Sequence, residues 1–241
     1  MEFNKMIKEI CDKNNIKCTF LSKNWVIKLE KDDMTRYITG NKFDLNGHAL
    51  GNIMDDKYAF YEVMKDENID IIEHKILYKN DNKNEYRVII LDDEIKLIYG
   101  KINPKVIGDG FSTLKELLIK FNYSYYNNKA IKNENYIPSK GEEINYDFRF
   151  NLSQGSKIFL DIKEDIKKEI TELAKKVTKT TGIRFSSIDI VELYDSSILV
   201  MEANSGVTIN KACNFIDDGY DIAYKIYEQA IQKMFWRNYE R

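Results

Sequence analysis

The chain has 241 residues, and its 37 Lys and Arg against 39 Asp and Glu leave a formal charge of −2. That near-neutral balance argues against a dedicated nucleic-acid binder, which carries a basic excess, and 43% hydrophobic residues are enough to fold around a core. Length alone suggests one to two domains. No apolar run approaches the roughly 20 residues of a membrane-spanning helix, and the start MEFNKMIKEICDKNN lacks the apolar centre of a signal peptide. Cys11, Cys18 and Cys213 show no metal spacing, and they read as reduced thiols of a cytoplasmic protein. Cys11 falls on an apolar helical face, where buried thiols pack, so it is not read as a nucleophile.

Along the chain, Phe3, Met6, Ile7, Ile10 and Cys11 predict an amphipathic helix over 3–13. Three β-prone runs follow at 17–21, 24–31 and 35–40, with Asp32-Asp33 as a turn. Helical spacing returns over 53–66, with Asp55 and Asp56 near the start, where acids suit the helix dipole. IDIIEHKILY (69–78) reads as a strand, and KNDNKN (79–84) as a polar junction. YRVIIL (86–91) and IKLIYG (95–100) form a hairpin, and 112–121 a short helix capped by Ser112 or Thr113 with Glu116. INYDFRF (144–150) alternates as a strand, and 162–181 is the longest helix, ending before Gly182. A second hairpin pairs 186–193 with 197–203, and an amphipathic helix closes the chain over about 217–236. Helices at both ends and hairpins rather than βαβ units predict an α+β fold with a mainly antiparallel sheet flanked by helices.

The second hairpin carries the chemistry. Glu202 and Asn204 are two apart on one strand and so share a face. Asp189 on the other strand lies close enough to join them if the turn falls at 194–196. Two carboxylates and an amide oxygen make an all-oxygen site, which selects Mg²⁺ completed by water or phosphate. Glu202 also ends an apolar run, ILVM, where a charge needs a partner. The two histidines, His48 and His74, belong to no triad or ligand spacing.

On these residues the sequence resembles the ATP-grasp superfamily, in particular the cyanophycin-synthetase-like and glutathione-synthetase-like carboxylate–amine ligases. Asp189 and Glu202-Ala203-Asn204 match the family's metal motif. In 137–156, Pro138, Gly141, Glu142, Arg149, Asn151, Ser153 and Gly155 match its Pro, Gly-Glu, strand, Arg-x-Asn-Leu-Ser-x-Gly-Gly segment, with Ser156 in place of the second Gly. Residues 86–118 resemble its strand pair followed by a Val-x-Gly-Asp-Gly loop, here ending in Gly108-Asp109-Gly110, and a helix. Asp56-Lys57 resembles the pair that opens the family's first core helix. The four segments lie in the family's order.

The resemblance implies an ATP-dependent ligase that joins a carboxylate to an amine or thiol through an acyl phosphate, with ATP and Mg²⁺ as cofactors. Asp189, Glu202 and Asn204 would hold the metal. Arg149 and Asn151, with the backbone at Ser153–Gly155, would face the acyl phosphate. Lys101 stands where related ligases carry an Arg beside the transferred phosphate, and a point charge there replaces a flat fork. Lys57 and Arg87 would approach the nucleotide, although a helix-surface Lys is the plainer reading of Lys57, and a structural ion-pair Arg is at least as plain a reading of Arg87. Partners would be small-molecule substrates, with no nucleic acid and no membrane, and homodimers are common in the family. The expected layout is an N-terminal α/β segment (1–52), the start of the core (53–78), a junction at the lid insertion point (79–84) and the catalytic core (85–241). The family's lid carries a Lys-Pro strand and a Gly-rich loop, and neither occurs between 52 and 99, so the lid is expected to be missing. The alternative is a lidless or degenerate fold acting as a non-catalytic binding or assembly module.

Overall fold

The chain is described by a computed structural model over residues 2–73, 82–102, 105–127, 133–145, 152 and 156–236. In chain order it forms α1 (Phe3–Lys13), β1 (Lys17–Leu21), β2 (Val26–Lys31), β3 (Met34–Thr39), β4 (Lys42–Phe43), α2 (His48–Asp55), α3 (Lys57–Asp66), β5 (Asn82–Leu91) and β6 (Glu94–Ile102). Then come β7 (Lys105–Ile107), α4 (Leu114–Asn127), β8 (Glu143–Asn145), β9 (Lys157–Phe159), α5 (Glu164–Thr181), β10 (Phe185–Leu193), β11 (Ile198–Asn204), α6 (Asn210–Cys213) and α7 (Gly219–Met234). Every pairing between these strands whose register is given is antiparallel, as the hairpin pattern predicts. The chain divides into two units, Met1–Tyr99 with Leu160–Arg241, and Gly100–Phe159.

The first unit holds a meander in the order β1-β2-β3-β4 and a second sheet in which β11, β10, β5 and β6 lie side by side. Its core joins Met6, Ile7, Ile10 and Cys11 of α1, Ile27, Leu29 and Ile38 of the meander, Ile89 and Leu91 of β5, and Ala223, Tyr227 and Ile231 of α7. The N-terminal segment is thus built into the same apolar cluster as the longest strands. Tyr227 sits at its middle: its ring stacks on Phe43 at 5.7 Å and meets Phe3 edge-on at 5.2 Å. The Tyr227 hydroxyl donates to Asn210 Oδ1 at 2.9 Å and accepts from the Ile209 N–H at 3.1 Å, which fixes the segment that follows β11.

In the second unit the end of β6 pairs with β9, β7 pairs with β8, and α4 packs Leu114 and Leu118 on Val106. Thr113 and Glu116 form the expected capping box: the Thr113 N–H donates to the Glu116 carboxylate at 2.8 Å, and the Glu116 N–H donates to Thr113 Oγ1 at 3.2 Å. Gly100 has no room for a Cβ, which would stand 2.0 Å from the Phe159 ring.

Three local readings change. The single helix expected over 53–66 is two helices. Asp56 is extended (φ −101°, ψ 109°), and its carboxylate accepts from the Tyr58 and Ala59 N–H groups, so it starts α3 instead of continuing α2. The expected strand at 69–78 is, in its described part, a parallel bridge of Ile71 with Val200, and residues 74–78 lie outside the described residues. Of the polar run at 79–84, residues 79–81 lie outside the described residues and Asn82–Asn84 open β5, with Asn84 opposite Glu192. Only 144–145 of the strand expected over 144–150 lie within the described residues, as the end of β8.

Two glycines separate propensity from packing. A Cβ at Gly51, inside α2, meets nothing within 4 Å, whereas one at Gly219, the first residue of α7, would stand 1.9 Å from the Cys213 carbonyl oxygen. Gly51→Ala is expected to raise stability by about 0.5–1 kcal/mol. Gly219→Ala is expected to lower it by about 1–3 kcal/mol, through overpacking against backbone. Urea unfolding should move the two midpoints in opposite directions at unchanged slope.

Candidate functional site

The site is a row across three strands. β10 runs between β5 and β11, and all nine of its residues are buried. Its register sets Asp189 opposite Arg87 of β5 on one side and opposite Glu202 of β11 on the other. Directly opposed residues of an antiparallel pair point to one face, so Arg87, Asp189 and Glu202 line up there. Asn204, two residues beyond Glu202 and opposite Ser187, joins them. A register shift between Asp189 and Ile190 interrupts the β10–β11 ladder immediately below the row. Such bulges re-aim strand ends beside functional sites.

Each carboxylate of the row has a cation. Asp189 is 1% exposed, and the Arg87 guanidinium grips it two-handed, Nε on Oδ1 at 2.7 Å and Nη2 on Oδ2 at 2.5 Å. Burial works against the charge of Arg87, but the Asp189 carboxylate outweighs it, and the guanidinium pKa lies above its ordinary value. Glu202 meets the Lys57 ammonium at 2.8 Å, and Lys57 is the first residue of α3. The Asn204 amide nitrogen donates to Glu202 Oε1 at 3.3 Å, which leaves its carbonyl oxygen as the amide atom that could face a cation. Among the described residues no group of three His, Cys, Asp or Glu side chains is placed to hold a metal. The donor set here is two carboxylates and one amide oxygen, and its all-oxygen chemistry fits Mg²⁺.

The segment after β11 is tied to the meander, a contact that no sequence spacing announces. Lys42 bridges to Gly206, the Val207 N–H donates to the Asn41 carbonyl at 3.0 Å, and Asn41 hydrogen-bonds Thr208. Asp55, at the end of α2, accepts from Ser205 Oγ at 3.1 Å and pairs with Lys42.

Lys101 is 4% exposed on β6 in the second unit, opposite Ile158. Arg149, Asn151, Ser153 and Gly155 lie outside the described residues. In the second unit the two matched loops interlock. Gly108 N–H donates to the Glu142 carbonyl at 2.8 Å, and the Gly141 N–H returns to the Gly108 carbonyl at 2.8 Å. A Cβ at Gly108 would stand 2.2 Å from the Ser139 carbonyl oxygen, so only glycine fits there. Asp109 accepts from the Ser112 hydroxyl and from the Ser112 and Phe111 N–H groups. These donors pull its pKa down to about 2, and the carboxylate shapes the loop. Cys11 is buried, and its hydrogen bond with Cys18 followed by burial pushes its thiol up, which agrees with a packing role.

A buried carboxylate escaped sequence reasoning. Glu192, on the opposite face of β10 from Asp189, accepts from Lys83 at 2.6 Å, Asn84 at 2.8 Å and the Tyr86 hydroxyl at 2.7 Å. Burial raises its pKa, but the three donors outweigh that and hold it below the ordinary glutamate value. A folded-state pKa below the unfolded one contributes stability above the unfolded value, near pH 4.3, and loses it as pH falls through the folded one. Glu192→Gln keeps the shape without the charge. Its destabilisation relative to wild type is expected to be largest near pH 7 and to shrink steadily below about pH 4, as read by thermal melts across pH.

Comparisons with known proteins agree with this architecture. Residues 136–230, which include Asp189, Glu202 and Asn204, match the family described as the RimK-like ATP-grasp domain. No curated protein matches the sequence. The structure is similar to a bifunctional glutathione synthetase from Pasteurella multocida, at 14% identity and a TM-score of 0.59, over 93% of this chain and 44% of that one. The chain therefore spans less than half the length of that protein. Weaker likenesses are a Chryseobacterium gregarium RiPP-associated ATP-grasp ligase in complex with ADP and a leader and core peptide, at 10% identity, TM-score 0.47, and 95% and 92% coverage. Another is the D-alanine–D-alanine ligase from Bacillus anthracis, at 11% identity, TM-score 0.42, and 80% and 72% coverage. No described helix is long and apolar enough to cross a membrane. The antiparallel α+β architecture, the family match over 136–230 and the likeness to the glutathione synthetase together show that this chain has the fold of an ATP-grasp ligase.

Proposed function

We propose that this chain supplies the catalytic floor of an ATP-dependent ligase that joins a carboxylate to an amine or thiol through an acyl phosphate. The observation that carries this reading is the direct pairing of Asp189 with Glu202 across β10 and β11, with Asn204 on the same face, in a chain of ATP-grasp fold. Two carboxylates and an amide oxygen suit Mg²⁺ held against the phosphates of ATP. When bound, the metal neutralises phosphate charge during phosphoryl transfer.

The chain's own part is positioning. Arg87 fixes Asp189 from the neighbouring strand, and Glu202 orients the Asn204 amide. Lys57, at the start of α3, brings a cation to the same face. Lys101, Arg149 and Asn151 keep the roles that the family resemblance gives them, beside the transferred phosphate and the acyl phosphate, with the backbone at Ser153–Gly155 facing the acyl phosphate. The substrate carboxylate is itself the nucleophile, so the reaction needs no activated Ser, Cys or His, in keeping with a chain of two histidines and a buried, raised Cys11 thiol.

Calorimetry with ADP, with and without Mg²⁺, tests the reading. The wild-type chain is expected to bind ADP only with the metal present. Glu202→Gln is expected to weaken that binding by more than about tenfold, since even loss of a residue that orients a metal ligand costs about 10–100-fold. Unchanged binding in the variant removes Glu202 from the site. A wild type that gives no heat with Mg–ADP favours the non-catalytic module.

A further inference from the structure

Three consecutive residues turn the corner between α2 and α3, and each has its own contacts. Asp56 caps α3 through the Tyr58 and Ala59 N–H groups. Lys57 meets Glu202 at 2.8 Å. Asp55, the last residue of α2, accepts from Ser205 Oγ on Oδ1 at 3.1 Å and pairs with Lys42 through Oδ2. The corner therefore touches β11 at Glu202 and its continuation at Ser205, on either side of Asn204 in the chain.

Asp55 stands there against the preference of its own helix. A carboxylate in the last turn faces the negative end of the helix dipole, and α2 has no basic residue in that turn. The Asp55 contacts close a ring of three segments: Asp55 holds Ser205 and Lys42, Lys42 bridges through its backbone to Gly206, and Gly206 follows Ser205. The two bonds differ in depth. The Asp55 and Lys42 side chains are 40% and 47% exposed, so their pair contributes little. Ser205 is 4% exposed, and a buried hydroxyl that loses its acceptor is left unsatisfied.

We infer that Asp55 is a positioning residue for Asn204: by holding the Ser205 hydroxyl it fixes the backbone one residue beyond the amide, and so sets where the Asn204 carbonyl oxygen stands relative to Glu202. The inference rests on the Mg–nucleotide reading of the site given above. The β10–β11 pairing ends with Ser187 opposite Asn204. The ladder thus holds the strand up to Asn204, and the Asp55–Ser205 bond takes over at the next residue. Asp55 acts through Ser205, and Lys42 steadies Asp55 from the meander.

Mn²⁺ with ADP is the probe, followed by water-proton relaxation on the full chain. Asp55→Ala and Ser205→Ala are each expected to weaken Mn–ADP binding by about tenfold, the low end of what loss of a residue supporting a metal ligand costs. The double variant is expected to bind as each single one does, because both changes remove the same bond. Asp55→Asn keeps an acceptor for the Ser205 hydroxyl and is expected to restore most of the affinity. The relaxation enhancement per bound Mn²⁺ is expected to rise in the two alanine variants, as water takes the position of the Asn204 oxygen, a change that a general loss of stability does not produce. With no metal or nucleotide present, the Val207 amide, which donates to the Asn41 carbonyl at 3.0 Å, is expected to lose protection from hydrogen exchange in the same two variants. Circular dichroism checks that each variant stays folded. A wild type that binds Mn–ADP while both alanine variants bind it equally well, with unchanged relaxation, overturns the positioning role and spares the site. Asp55→Asn as weak as Asp55→Ala, or a double variant far weaker than either single one, overturns the route through Ser205. A wild type that takes up no Mn–ADP overturns the metal reading and the positioning role with it, whatever the Val207 amide shows.

Discussion

A carboxylate that is 1% exposed in the middle of a sheet has to be neutralised where it stands, and the pairing of Asp189 with Arg87 does this. The rest of the second sheet follows from it. β10 is buried from end to end between β5 and β11, yet it carries two acids, Asp189 on one face and Glu192 on the other. β5 answers both: Arg87 for Asp189, and Lys83, Asn84 and Tyr86 for Glu192. A slip of one residue would turn every one of these side chains to the wrong face. Breaking a buried pair from one side costs about 3–5 kcal/mol, so the charges hold the register as firmly as the apolar residues around them.

That complementarity explains what the sequence showed and what it hid. Asp189 and Glu202-x-Asn204 were legible because the strand period of two and one hairpin turn bring them together, and both are local. α1, α5 and the Thr113–Glu116 capping box were legible for the same reason, since each is settled within a few residues. The polar run at 79–84 looked like a junction because nothing in it alternates. Its described residues, Asn82–Asn84, are strand because Glu192, more than a hundred positions away, needs Lys83 and Asn84 as donors. No window of the sequence contains both partners. The split between α2 and α3 was hidden differently: the apolar spacing runs on through Asp56, and only its carboxylate, turned to the N–H groups of Tyr58 and Ala59, starts a new helix.

The N-terminal segment shows the same limit at larger scale. As sequence, 1–52 is a helix and some short strands with no motif. In the structure, Phe43 stacks on Tyr227, whose hydroxyl fixes Ile209 and Asn210, while Asn41 and Lys42 hold Gly206, Val207 and Thr208. The chain that leaves Asn204 is thus clamped from the meander on one side and from α7 on the other. If β11 carries metal ligands as proposed, its end has to be held, because a shift of one ångström at a ligand is enough to lose the geometry. The segment without a motif therefore contributes to the site through the backbone that follows the motif.

The two acids of β10 are neutralised differently on the two faces of the strand. Glu192 is enclosed by three donors from a single neighbouring strand: Asn84 and Tyr86 are set by the register, and the half-exposed Lys83 falls at the register shift beside it. On the other face the fixed strand donor ends at Asp189. The next carboxylate, Glu202, lies on the outermost strand of that sheet, where its cation comes from the start of a helix. An exposed pair of this kind is worth about 0–1 kcal/mol, whereas breaking the buried Asp189–Arg87 pair from one side costs about 3–5 kcal/mol. The row is therefore held by the sheet at Asp189 and by a helix start at Glu202, two kinds of constraint at adjacent positions of one face.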